Sequence, residues 1–393
     1  MTDKIVVENL YKIFGPTPKD ALELIQQGLN KDEIFERTGN TIGVQDASFT
    51  IKEGEIFVVM GLSGSGKSTL LRMLNRLIEP TSGSVRIDGH DVTHMSTKEL
   101  VALRRKDMAM VFQTFALLPH RSVLQNAAFG LEIAGNDKSE SEDRALKALD
   151  LVGLKANANS FPDELSGGMQ QRVGLARALA AEPSVMLMDE AFSALDPLIR
   201  TQMQDELLEL QEHSERTVVF ITHDLNEAMR VGDRIAMMEG GRILQVGTGR
   251  EILREPANEY VEAFFRDVDI TGIFIAGDIA EDATMTFAPD EAADKALKAL
   301  QDREQPFGYV LAKDRFHGVV SQDSLKHALE NNKGGLSDAY LNGRPPLKAQ
   351  MTLREILEPV ANAGYPLPVV GRRQRFYGVI SRSTLLEALR KED

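Results

Sequence analysis

The octapeptide Gly61-Leu62-Ser63-Gly64-Ser65-Gly66-Lys67-Ser68 constrains this chain more than any other segment. Glycines recurring so closely weaken any helix or strand interior, so the segment reads as a loop. Its flanks read as ordered. Glu55-Ile56-Phe57-Val58-Val59-Met60 is an apolar, β-branched run expected to form a strand covered on both faces. Thr69-Leu70-Leu71-Arg72-Met73-Leu74 opens a helix. Strand, glycine loop and helix in that order make the crossover unit of an α/β domain with a largely parallel sheet. Val185–Met188 and Thr217–Ile221 are further strands of the same kind, and Gln171–Ala181 and Pro197–His213 read as helices. Pro18–Arg37 is an early helical insertion, with Ala21, Leu22, Leu24, Ile25 and Leu29 on roughly one face.

The same loop has a chemistry. Its glycines let successive backbone N–H groups curl around phosphate oxygens, and the helix N-terminus adds its dipole. Lys67 supplies positive charge to β- and γ-phosphates, and the Ser68 hydroxyl can ligate Mg2+. Gly61, Ser63, Gly64, Ser65, Gly66, Lys67, Ser68 and Thr69 are thus the expected binding residues for ATP, with Mg2+ as its companion ion. Asp189 and Glu190 end an apolar strand, where Asp189 would hold the metal from its outer shell and Glu190 would act as general base. Ser166-Gly167-Gly168 opens a helix and offers a second anion cradle.

Charge and composition exclude several classes. The net charge is −14, which argues against nucleic acid as a partner. It is unevenly spread: from Ile270 onward 16 Lys+Arg face 17 Asp+Glu, so the first 269 residues hold nearly all the excess acid. There are no cysteines, which removes disulfides, thiolate metal sites and cysteine nucleophiles together. No stretch reaches the ~18 apolar residues of a membrane span, and the start lacks a signal-peptide layout. The chain is therefore expected to stay inside the cell.

Leu165-Ser166-Gly167-Gly168-Met169-Gln170-Gln171-Arg172 resembles the LSGGQ signature of ABC ATPases, with Met169 in the variable slot. The resemblance implies a mixed-sheet core with a helical subdomain, in which Ser166, Gly167, Gly168 and Gln170 of one subunit close over the P-loop nucleotide of another. Gln113, after the strand Met108–Phe112, resembles the Q-loop glutamine that touches Mg2+ and the attacking water. Ser193-Ala194-Leu195-Asp196 resembles the D-loop, so Asp196 would also act in trans. His223 resembles the switch histidine that contacts the γ-phosphate. Phe14 in Lys12-Ile13-Phe14-Gly15 is the candidate to stack on adenine, with Tyr11 as its rival.

Asn9-Leu10-Tyr11-Lys12-Ile13-Phe14-Gly15 with its insertion, Met73–Pro80, Phe115–Arg121 and Asp189–Arg200 are similar to the ATPases of glycine betaine/proline betaine importers. That resemblance spans nearly the whole chain. It implies a homodimer on the cytoplasmic face of the membrane, paired with integral membrane permease subunits and a substrate-binding protein. Gln113–Arg121 would form the groove for the permease. Importers of another small solute (choline, carnitine, an amino-acid derivative) and a non-transport ABC ATPase stand as alternatives.

The expected organisation is an ATPase domain over 1–266 with its insertion at about 17–41, a linker over 267–282, and a repeat pair over 283–393. Arg315–Ser321 followed by a helix over 322–330 recurs, sixty residues later, as Arg375–Ser381 followed by 382–390. The copies, about 283–330 and 345–391, resemble a tandem CBS module, a second and smaller α/β domain. Three roles are open: Arg372, Arg373, Arg375, Arg390 and Lys391 could meet anionic lipid in a salt-dependent way, a nucleotide could bind between the copies, or the module could only dimerise. Asp323 opens the helix of the first copy, where CBS domains often hold ribose; the second has Arg382-Ser383-Thr384 instead.

Overall fold

A computed structural model describes residues 2–112, 115–193, 195–213, 216–266, 270–341, 344–371 and 374–389. The chain divides into two compact units, Met1–Val268 and Asp269–Asp393.

The first unit is built on a six-stranded sheet, counted over the described residues, in the order Arg242–Gly247, Arg234–Glu239, Ile56–Met60, Thr217–Thr222, Val185–Asp189, Met108–Val111. Its neighbours are parallel except the first pair. Every residue of the three central strands Ile56–Met60, Val185–Asp189 and Thr217–Thr222 is buried. The pleat sends alternate residues to opposite faces, and both faces are covered. Val58, Met186 and Phe220 pack under the helical side, while Phe57, Leu187 and Ile221 join Leu70 and Leu71 on the other.

That other face is closed by an antiparallel sheet of Thr41–Lys52, Asp3–Phe14, Ser82–Ile87 and His90–Asp91. On the first face the helices Val123–Ala134 and Lys138–Leu151 pack around Gly167–Ala180. This last helix was expected from Gln171, yet it begins four residues earlier. Ser166 Oγ accepts from Met169 N–H at 3.4 Å and caps it, so a Gly-Gly pair with poor intrinsic propensity still forms its first turn.

The insertion is a helical hairpin, Pro18–Gln26 and Lys31–Thr38. Ala21, Ile25 and Ile34 meet Ile13 and Ile42 in a small core of their own.

The second unit holds two copies of one motif. Thr286–Phe287 pairs in parallel with Phe307–Ala312, which pairs antiparallel with Arg315–Ser321. Leu347–Lys348, Leu367–Val370 and Phe376–Ile380 repeat the pattern. Tyr309 and Val319 of one copy share an apolar cluster with Val379 of the other, so the copies face each other. Ala276–Ile279, inside the stretch read as a linker, is a short helix whose Ala276 is buried in the core of the second copy.

Candidate nucleotide site

Three adjacent parallel strands deliver the site, since parallel strands place all their carboxyl ends on one edge, where open α/β sheets bind ligands. Ile56–Met60 runs into the phosphate loop, Val185–Asp189 into Glu190, and Thr217–Thr222 into His223.

In the loop, Gly61, Gly64 and Gly66 take φ of +157°, +79° and +104°. A Cβ on Gly66 would stand 2.2 Å from the Gly43 carbonyl oxygen, so glycine is required there by contact as well as by conformation. Ser63 and Gly64 are exposed and Ser65 is buried. Lys67 Nζ donates to the carbonyls of Gly61 at 2.8 Å and Leu62 at 2.9 Å, folding over its own loop. Burial pulls its pKa below that of an ordinary lysine, while the carboxylates of Glu190 and Asp189 act against that pull. Thr69 lies beside Gly43 on the helix Lys67–Leu74.

Ser68 Oγ donates to Asp189 Oδ1 at 2.8 Å, which joins the loop to the neighbouring strand. Asp189 is 1% exposed, and Arg72 reaches its other oxygen at 3.3 Å. These two hard oxygens suit Mg2+, which characteristically takes one or two protein ligands and completes its shell with phosphate and water. Among the described residues no cluster of three His, Cys, Asp or Glu could hold a metal by itself.

Glu190 takes a left-handed φ of +47°, uncommon for a residue with a side chain. Its N–H donates to Ile221 O at 3.1 Å, and Ser193 Oγ donates to its carbonyl at 2.9 Å, so both neighbours hold the turn. Strain of this sort, held by surrounding bonds, is characteristic of functional positions. The turn sets Glu190 Oε2 3.3 Å from His223 Nδ1. The turn thus brings together a carboxylate and a histidine that the sequence named only separately.

Phe14 lies at the end of its strand, 41% exposed. A Cβ on Gly43 would come 2.8 Å from its ring, and Gly43 itself backs onto Gly66, so the ring flanks the loop. Lys12 Nζ sits 5.0 Å above the ring centre. Tyr11 packs instead into the small core of the insertion. Between the two rivals, only Phe14 stands against the glycine strand beside the loop.

Ser166, Gly167, Gly168, Gln170 and Asp196 hold local contacts of their own. Gln170 donates to the carbonyls of Pro162 and Leu165, and Asp196 accepts from Ile199 N–H at 3.2 Å. Phe115 and Leu195 lie against Gly167 and Gly168. Ser166 is exposed. Gln113 lies outside the described residues, as do Arg372, Arg373, Arg390 and Lys391.

Sequence reasoning missed several residues that brace the site. Arg200 donates to Asp224 at 3.2 Å and to Leu195 O at 3.3 Å, and approaches buried Glu227 at 3.6 Å. Thr222 and Gln204 also bind Glu227, whose carboxyl is pushed up chiefly by burial. Asp224 caps the helix Leu225–Val231. Arg200 therefore ties the turn bearing Asp196 to the loop bearing His223. The arginine three residues after Pro197 was in plain view, but nothing local announced its partners.

An edge able to cradle phosphates, hold a divalent cation and orient a water-activating carboxylate defines the class: a nucleotide-hydrolysing P-loop domain. Residues 44–193 match the family described as ABC transporter. The chain is 55% identical over 396 residues to the glycine betaine/proline betaine transport system ATP-binding protein ProV of Escherichia coli (strain K12), covering 100% of this chain and 99% of that protein. It is 49% identical over 387 residues to the glycine betaine transport ATP-binding protein OpuAA of Bacillus subtilis (strain 168), covering 98% and 92%. Among solved structures it resembles the dimeric ATP-binding cassette MJ0796 bound to ADP and Pi, with TM-score 0.54 and 32% identity over 62% of this chain and 98% of that one. The chain belongs to the ATP-binding subunits of ABC transporters, in the family of ProV and OpuAA, and is an ATP hydrolase.

Proposed function

We propose that this chain drives uptake of glycine betaine, proline betaine or a close osmoprotectant through an ABC importer. The observation that carries the reading is likeness over the whole length, second unit included, to proteins named for that transport. Two copies sandwich two ATP molecules, each held between the P-loop of one copy and Ser166, Gly167, Gly168, Gln170 and Asp196 of the other. The exposed helix start capped by Ser166 supports this, because a helix N-terminus favours an anion.

Ser68 and Asp189, joined by Gln113, would hold Mg2+, which would supply positive charge to the phosphates. Lys67 binds the terminal phosphates. Glu190 takes a proton from the attacking water, and His223, held beside it, orients that water against the γ-phosphate. Phe14 stacks on adenine.

The subunit works at the cytoplasmic face of the cell membrane, with integral permease subunits and a substrate-binding protein as partners. Among the described residues no helix is long and apolar enough to cross a membrane. The ATPase domain covers 1–266, and the paired motifs of 283–393 form a tandem CBS module that tunes the ATPase to ionic strength. Their two repeated α/β motifs support that assignment.

Glu190→Gln removes the base and keeps the shape. It should trap an ATP-bound dimer, and full steady-state ATPase activity in that variant would overturn the role. Uptake of labelled glycine betaine by the complex reconstituted with its permease, measured across internal salt, tests solute and regulation together. No uptake above empty vesicles would reject the solute.

A further inference from the structure

One side chain outside the catalytic set reaches the phosphate loop from far along the chain. Tyr260, on the helix Glu259–Phe265, accepts a hydrogen bond through its hydroxyl oxygen from the Leu62 N–H at 3.4 Å. Leu62 is the second residue of the loop, and it is 58% exposed, so apolar packing does not hold the loop there. The other bonds that shape the loop lie elsewhere. Lys67 binds the carbonyls of Gly61 and Leu62, Ser65 N–H donates back to Leu62 O, and Gly241 N–H donates to Ser65 O. None of these engages the Leu62 amide hydrogen.

Tyr260 is itself well placed to act as a fixed post. Asn258 caps its helix by accepting from Val261 N–H at 3.0 Å, and Phe264 packs edge-on against the Tyr260 ring with centroids 5.1 Å apart. Val261 and Phe265 of the same helix are buried in the core on the helical side of the sheet. Burial is the main influence on the hydroxyl and pushes its pKa up, so it stays neutral and brings no negative charge towards the phosphates.

We propose that Tyr260 is a positioning residue for the phosphate loop. Its hydroxyl fixes the Leu62 amide and so holds the entry of the loop in the shape that binds nucleotide. The inference rests on the reading of this loop as the ATP site. A loop held ready for phosphate binds ground state and transition state alike, so losing the post should weaken binding and spare the chemical step.

The test is a double-mutant cycle in the full chain. Tyr260→Phe removes only the hydroxyl, and Leu62→Pro removes the amide hydrogen together with the leucine side chain and fixes the local φ. Tyr260→Phe should raise the KM for ATP about threefold, the scale of one neutral hydrogen bond, with kcat within about twofold of wild type, and Leu62→Pro should raise the KM by at least as much. The pair should raise it by less than the product of the single effects, because both changes delete the same bond. An unchanged KM in Tyr260→Phe, or single effects that multiply in the pair, would overturn the proposal. Tyr260→Phe stands by itself if the proline variant fails to fold, because phenylalanine keeps the ring packed on Phe264. Lys67→Ala separates the underlying reading: ATP binding undiminished in that variant would remove the ATP site itself, whatever Tyr260 does.

Discussion

Replacing Arg200 by methionine keeps most of the length of the side chain and deletes its charge. In the wild type the Arg200 side chain is 27% exposed and its guanidinium stands between Asp224, 31% exposed, and Glu227, 5% exposed. It also holds the Leu195 carbonyl at 3.3 Å. The bond to Asp224 is half-replaced by water once broken, so its loss costs about 1 kcal/mol. The bond to Leu195 is charge-assisted and partly buried, which sets its share at about 1 kcal/mol more. Glu227, 5% exposed, would be left without its cation, which adds up to about 1 kcal/mol more. The total is about 2–3 kcal/mol, or a fall in the melting temperature of the first unit of about 5–10 °C. Because Arg200 joins the turn of Asp196 to the loop of His223, kcat should fall about tenfold while the KM for ATP stays within about twofold. Thermal melting followed by circular dichroism and steady-state phosphate release read the two effects. Adding Glu227→Gln should restore part of the melting temperature, since the unpaired carboxyl is then gone. A variant that melts like wild type with unchanged kcat would refute the bracing role and the energetics together.

Gly66→Ala should abolish ATP binding in an equilibrium titration, because the new methyl group meets the Gly43 carbonyl 2.2 Å away at a φ of +104°. Phe14→Ala should raise the KM for ATP about tenfold, the loss of one stacked ring, while Tyr11→Phe leaves it unchanged. Glu227 predicts a pH effect. Its raised folded pKa means the folded state takes up a proton more readily than the unfolded one. That contribution is fully present below the unfolded value of 4.5 and is lost as pH rises through the raised one. Urea midpoints measured from about pH 4 to about pH 8 should therefore fall less steeply in Glu227→Gln than in wild type.

The phosphate loop and its flanking strand and helix were legible because they are contiguous. Glycine tolerance, an apolar run and a helical pattern are all local properties, and Gly61–Ser68 carries them within a few residues of one another. The same holds for Asp189 and Glu190 at the end of an unbroken apolar strand, and for Ser166 at a helix start. The start of the helix at Gly167 was harder to read, since its propensity points the wrong way and only the Ser166 cap and the packing of the completed helix reverse it.

Sequence by itself determined the class of chemistry, because that depends on which groups are present and on short spacings that the backbone enforces. Tertiary structure alone decided which groups meet. Strand order places Val185–Asp189 beside Thr217–Thr222, and only that adjacency brings His223 to 3.3 Å from Glu190. Phe14 lies against the glycine at 43 while Tyr11 packs with the inserted hairpin, and only the folded strand separates the two rings in this way. Tyr260 meets Leu62 across 198 residues of chain. Contacts of that kind come from closing long loops around a packed core, and no local pattern encodes them. The loop at the centre of the site is therefore written in eight residues, while the posts that hold it are supplied by the whole fold.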